Sequence, residues 1–355
     1  MKRTVAIALA ALSLCGCTTA TAATPANGTC AAASAYSAPR YGVTVLVLRD
    51  GKVLCQDFEN GATAGEAFPI FSGTKSFNGI IAAAAVQDGL LTLDEPVSRT
   101  ISEWRSDPAK AAVTIRQLLQ LTSGLGSKAF PAPDFAEAIA MPLNAAPGAR
   151  FQYGAAPFQV FGELMRRKLV AAGRPGDPTL YLKARILDPI GVHWSDWRRT
   201  PAGDPMMDQG AVFTADQWAL FGEFVRHQGV LNGHALVDPL TFAELFRGTS
   251  ANPAYGVTWW LPKATPAEDV VTARVDLGRY EAQLPADMVA AAGAGDQRLF
   301  VIPSCRLTVV RQARLDAVRL RAARRGADEE RQWSDFAFIK PILDAYCTKP
   351  NGAAG

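Results

Sequence analysis

Charge is scarce in this chain and nearly balanced. Lys and Arg number 36 against 33 Asp and Glu, and only 19% of the 355 residues are charged. Setting aside Lys2 and Arg3, which stand in a basic start with no acid before residue 17, leaves 36 − 2 = 34 basic against 33 acidic residues. A body this close to neutral offers no field for phosphates, which argues against a nucleic-acid partner. Histidine is rarer still, with His193, His227 and His234 the whole complement of 3. A histidine metal cluster or a Ser-His-Asp triad has little material, and no GxSxG elbow occurs. Long apolar runs are missing too: Val5 to Leu14 falls short of the ~20 residues that anchor a helix in a bilayer. No internal repeat or heptad pattern is visible. What remains is a chain 49% hydrophobic with 30 Gly and 23 Pro, the profile of a globular protein with a sizeable core. At roughly 150 residues per domain, its length allows about two lobes.

Residues 1–16 read as a signal peptide, a basic start followed by a short apolar run. The segment Leu14-Cys15-Gly16-Cys17 resembles the lipobox of bacterial lipoproteins, which implies a mature protein that begins at Cys17 with a lipid on that cysteine. On this reading the protein is exported, periplasmic and held at a membrane by the Cys17 lipid. The other reading is ordinary cleavage after Ala20-Thr21-Ala22. Residues 17–38 are mostly Thr, Ala, Pro, Ser and Gly, which predicts a flexible tether. Cys30, Cys55, Cys305 and Cys347 remain, an even number in a compartment where disulfides persist. They form no CxxC pair, which argues against zinc. Of the three connectivities, Cys30–Cys55 and Cys305–Cys347 are favoured because each joins nearby sequence.

Tyr41 to Leu48 is β-branched and apolar, and Asp50-Gly51 separates it from Lys52 to Phe58, the pattern of a β-hairpin. A buried helix is expected at about 72–87, beginning on Ser72 and stopping at Asp88-Gly89. From Thr114 to Ala235 amphipathic helical stretches alternate with Gly and Pro. Strand character returns in YGVTWWL (255–261), DMVAAAG (287–293), QRLFVIPS (297–304) and RLTVVRQ (306–312), and a final helix follows in FAFIKPILDAY (336–346). The fold class is therefore α/β, of the α+β kind: one antiparallel sheet covered by N- and C-terminal helices, interrupted by an all-helical lobe. The expected division is 39–105 with 255–347 for the sheet lobe, 106–254 for the helical lobe, and 348–355 as a disordered tail.

Chemistry is suggested by one SxxK, Ser72-Gly73-Thr74-Lys75. A serine hydroxyl is a poor nucleophile until a base takes its proton, and a lysine three residues on lies one turn away on the same helix face. The positive end of the helix dipole would help stabilise an oxyanion there. SxxK alone is weakly specific. Its context is stronger, since a hairpin precedes it and Thr114-Ile115-Arg116-Gln117-Leu118-Leu119-Gln120-Leu121-Thr122-Ser123-Gly124-Leu125, Pro147-Gly148-Ala149-Arg150-Phe151-Gln152-Tyr153-Gly154, Gly210-Ala211-Val212-Phe213-Thr214-Ala215, Tyr255-Gly256-Val257-Thr258-Trp259-Trp260 and Gly293-Ala294-Gly295-Asp296-Gln297 follow in order. Together these resemble the serine β-lactamase and penicillin-binding-protein superfamily, closest to its class C and family VIII esterase branch, over about residues 40–347.

The resemblance implies Ser72 as the acylated nucleophile, Lys75 as its proton partner and Tyr153 as the general base. It implies a strand at Gly293, Ala294 and Gly295 along the site, with backbone N–H groups near Ala294 and at Ser72 forming an oxyanion hole. No metal or other cofactor is implied. Two departures stand out. The family's second motif usually reads YxN or YxS, whereas here it is Tyr153-Gly154-Ala155; its third usually has Lys or His before the glycine, whereas Ala291-Ala292 precede Gly293. Arg298 could supply the missing cation only if it points into the site. The expected function is thus a serine hydrolase acting through a Ser72 acyl-enzyme on a small-molecule ester or amide, an ester more than a β-lactam. Alternatives are a weak β-lactamase or D-amino-acid peptidase, and a non-catalytic binding or sensor module of the same fold. Ser123 is expected to cap a turn and one of Trp259 and Trp260 to line the cleft; Asp204 and Asp208 lie in a Pro- and Met-rich loop where a carboxylate could border the pocket, and neither is assigned a role.

Overall fold

The structure is a computed structural model that describes residues 28–126, 131–265, 275–315 and 332–347. The expected signal peptide 1–16, the tether up to residue 27 and the tail 348–355 lie outside the described residues.

Among the described residues the strands are β1 Gly42–Arg49, β2 Lys52–Phe58, β3 Ala67–Pro69, β4 Asp196–Trp197, β5 Ala211–Thr214, β6 Val230–Leu231, β7 His234–Ala235, β8 Val289–Gly293, β9 Gln297–Ile302 and β10 Leu307–Ala313. Five of them make an antiparallel sheet in the order β2-β1-β10-β9-β8. The hairpin that opens it turns on Asp50 and Gly51, both with positive φ (50° and 72°), as a two-residue turn of the right twist demands. β1 pairs with β10, Val45 opposite Arg311, so the two ends of the chain meet in mid-sheet. β8, β9 and β10 are buried along their whole length because helices cover both faces.

The helices among the described residues are α1 Gly28–Ser37, α2 Lys75–Gln87, α3 Pro108–Ala111, α4 Ile115–Leu119, α5 Phe135–Ala140, α6 Ala156–Ala171, α7 Pro178–Leu182, α8 Ala215–Arg226, α9 Pro239–Glu244 and α10 Asp335–Tyr346. α1 and α10 pack together on one face of the sheet, and α8 lies on β10, β9 and β1 from the other. A Cβ at Gly222 of α8 would come within 2.6 Å of Thr308, so glycine is what lets this helix sit so close to the sheet. Phe77 of α2 stacks on Phe221 of α8, ring centroids 4.0 Å apart, which continues one core from the sheet into the helical region. Cys30–Cys55 ties α1 to β2 and Cys305–Cys347 ties the β9–β10 turn to the end of α10, the pairing favoured from sequence.

The structure departs from the sequence reading in four places. Residues 28–37, expected as tether, are helix α1, since Cys30 and Ala33 are buried against the sheet and the disulfide holds them there. The helix expected at 72–87 is a 3-10 turn, Phe71–Thr74, followed by α2 from Lys75. The insertion is not all helical: β5 pairs with β3 and β4 in a second small sheet, β6 and β7 form a hairpin, and α8 belongs to the main sheet. Residues 255–261 are a tight bend, with Thr258 at φ 76°, and only Trp260 bridges to Ala290 of β8.

Candidate active site

Ser72 sits where three elements converge. Ile70, wholly buried, donates its N–H to Ala211 O at 3.1 Å, and Gly73 N–H returns to Ile70 O at 3.0 Å. This closes the chain into a turn that drives Phe71 to φ 47°, a left-handed conformation that a bulky residue adopts only under strain. The turn is braced from two directions. A Cβ on Gly73 would come within 2.9 Å of Trp218, and one on Gly293 would lie 2.0 Å from Ile70 O and 3.2 Å from Gly73 N. Only glycine lets the end of β8 press backbone to backbone against the serine turn. Gly293 closes β8, and Ala294 and Gly295 form the partly exposed turn into β9. Of the three positions expected along the site, Gly293 is the one packed against the serine turn.

At the first residue of α2, Lys75 is buried. Its Nζ donates to Ser72 Oγ at 3.1 Å and to the main-chain O of Asp208 at 3.1 Å. The rings of Tyr153 and Phe158 face the same nitrogen, with centroids at 4.9 and 5.3 Å, a cation–π arrangement that offsets part of the cost of burying the ammonium. Ser72, Lys75 and Tyr153 are thus brought together as the resemblance implies. Tyr153 meets the lysine through its ring face, and no hydrogen bond joins it to Ser72 or Lys75 among the described residues.

The question left open for the tryptophans is decided by the bend. Trp259 turns into the core between Phe221 and Phe246. Trp260 stands beside Tyr153 (6.0 Å), Tyr255 (4.8 Å) and Phe151 (6.2 Å), an aromatic wall next to the Ser72–Lys75 pair. Burial pushes the Tyr255 phenol far up, and the nearby Tyr153 adds to that.

Arg298 does not supply the missing cation. It is 1% exposed, its Nε donates to Asp335 Oδ1 at 2.6 Å, and its Nη1 donates to Gly293 O at 3.3 Å and Gln297 O at 3.0 Å. The arginine braces the strand end beneath α10 and is closed to a substrate. Ser123 accepts from Leu125 N–H at 3.3 Å in a turn, as expected, and the three histidines are exposed.

The sequence reading named Asp208 as a carboxylate that could border the pocket but gave it no role. Its side chain is 1% exposed with Oδ2 3.8 Å from Lys75 Nζ. Burial pushes its carboxyl above the ordinary range, while Lys75 and Arg198 pull it back. Arg198 lies over the Phe71 ring at 5.2 Å and donates to Gln209 O; burial holds its pKa below the usual arginine value. The only hint in the sequence was a carboxylate just ahead of Gly210-Ala211-Val212-Phe213-Thr214. Nothing in that spacing tells which way it faces.

Residues 30–330 match the Beta-lactamase family, and the chain belongs to this family of serine hydrolases with a β-lactamase-like fold. Among solved structures, a β-lactamase of Mycobacterium bovis superposes with a TM-score of 0.61 at 18% identity, covering 90% of this chain and 100% of its own. EstCE1, a hydrolase with promiscuous acyltransferase activity, gives 0.64 at 16% identity, covering 90% and 99%. The D-alanine carboxypeptidase AmpC of Burkholderia cenocepacia gives 0.58 at 18% identity, covering 84% and 97%. At these identities the likeness is one of fold.

Proposed function

We propose that the protein is an exported serine hydrolase that opens small, uncharged acyl esters through a Ser72 acyl-enzyme. The observation that carries this reading is the 3.1 Å hydrogen bond between Lys75 Nζ and Ser72 Oγ in a buried setting, nucleophile and base within proton-transfer reach. Ser72 Oγ attacks the acyl carbon as its proton is taken up by the neighbouring pair, Lys75 as proton partner and Tyr153 as general base. The N–H groups of Ser72 and Ala294 take the oxyanion. The leaving alcohol departs with a proton, and water then releases the acid and restores Ser72. The preference for an ester over a β-lactam is supported by what borders the serine. Ala291 and Ala292 stand where a cation would hold a substrate carboxylate, Arg298 is committed to Asp335, and the wall of Phe151, Tyr153 and Trp260 suits an apolar acyl group. Each absent charged contact is worth roughly 1.5–3 kcal/mol, about 10- to 150-fold. A mature chain starting at Cys17 with lipid completes the reading.

One preparation tests it. After reaction with a fluorophosphonate, intact mass should show a single adduct on wild type and none on Ser72→Ala, and the same spectrum should show a lipidated start at Cys17. A chain starting near Ala23 would overturn the anchor alone. kcat/KM for p-nitrophenyl butyrate should exceed that for a chromogenic cephalosporin, with Ser72→Ala as blank. The reverse order would make the protein a β-lactamase or peptidase, and labelling of neither variant would make it a non-catalytic module.

A further inference from the structure

We propose that Asp208 is a positioning residue that, through its charge, holds Lys75 and sets the pH at which the lysine amine can take the serine proton; this rests on the reading of Ser72 and Lys75 as the acylating pair. Neither carboxylate oxygen of Asp208 has a hydrogen-bond partner among the described residues, although the side chain is 1% exposed and Oδ2 lies 3.8 Å from Lys75 Nζ. Two other buried acids are bonded: Asp335 accepts from Arg298 and Trp333, and Asp204 Oδ2 accepts the Phe135 N–H at 2.9 Å. A buried carboxyl this poor in donors is held chiefly by charge.

The groups that face it are few. Lys75 comes from α2 and Arg198 from the segment after β4, and these are the two cations that act on it. Asn78 of α2 spends its amide N–H on Met207 O at 2.7 Å, leaving its Oδ1 unbonded, and the Gln209 amide is buried without partners. Tyr153 and Phe158 present ring faces to the lysine. Lys75 Nζ is meanwhile anchored by Asp208's own carbonyl at 3.1 Å, so the residue fixes the place of the nitrogen with its backbone and its proton with its side chain. An anion at this distance favours the ammonium, and Arg198 weakens that anion's hold. The two groups therefore act on Lys75 with opposite signs.

The test is the pH profile of kcat/KM for p-nitrophenyl butyrate in wild type, Asp208→Asn and Arg198→Gln, with Ser72→Ala as blank. Asp208→Asn should move the acid limb to lower pH by at least one unit with KM changed less than threefold. Arg198→Gln should move it to higher pH by at least half a unit. An unmoved limb in Asp208→Asn, with or without a loss of Tm, would make the residue architectural and overturn the proposal, as would shifts of the same sign in both variants. Should Asp208→Asn fail to fold, Arg198→Gln decides alone: an upward shift supports the proposal and no shift overturns it. Hydrolysis persisting in Ser72→Ala would overturn the acyl-enzyme reading itself, and the inference with it.

Discussion

Among the described residues, two cation–carboxylate pairs are buried on both sides, and they are built on opposite principles. Arg298 and Asp335, between the sheet and α10, meet at 2.6 Å with both side chains at most 1% exposed. Trp333 Nε1 donates to the same carboxylate at 2.7 Å and the guanidinium also serves two carbonyls. Lys75 and Asp208 are as deeply buried but 3.8 Å apart, and the acid makes no hydrogen bond. In both, burial is the largest influence on the acid and raises its pKa. The first pair offsets desolvation with directed bonds and so is fixed in one state of charge. The second has little but charge to hold it, so a proton can move without breaking a network. Rigid ionisation belongs to architecture, and loose ionisation belongs beside a nucleophile.

The comparison breaks most visibly at Asp335. Asp335→Ala leaves the Arg298 charge buried against the strand end and should cost about 3–5 kcal/mol of stability, read as a lowered urea midpoint at unchanged slope. A loss under 1 kcal/mol would mean that α10 and the Cys305–Cys347 bridge, and not the ion pair, hold that face. At the other pair the damage should fall on rate: Lys75→Ala should slow fluorophosphonate labelling of Ser72 by at least ~10²-fold, since a proton-transfer partner is gone. A near-wild-type labelling rate would reduce Lys75 to a bystander.

Glu59 sharpens the contrast with a third acid, half-buried just past β2. Burial raises its carboxyl from 4.5 to about 7, opposed by Arg311 and aided by Asp57. Because the folded value exceeds the unfolded one, its contribution to stability is present below pH 4.5 and is lost as pH rises toward 7. Glu59→Gln should therefore raise Tm by a few degrees at pH 8 and leave it nearly unchanged at pH 4. Equal shifts at both pH values would remove titration as the cause.

Much of this was legible in the residues. Asp50-Gly51 between two β-branched runs announced the first hairpin because both turn positions need positive φ, met at 50° and 72°. The strands from Val289 onward read as apolar runs because helices cover both faces. The i, i+3 spacing of Ser72 and Lys75 already put the two side chains one helical turn apart, and the separations of four cysteines along the chain favoured the bridges that formed. These are local properties, carried by backbone geometry and by distance along the chain. Other features depended on which surfaces found each other. Asp208 gains its place only because the loop before β5 folds under α2, Arg298 turns to α10 and away from substrate because Asp335 waits there, and α8 joins the sheet through Gly222. Trp259 and Trp260 exchanged the alternation of a strand for a bend at Thr258, sending one to the core and the other to Tyr153. Periodicity reports whether a side chain is buried; which buried partner it meets, and at what charge, is decided by contacts between segments far apart in sequence.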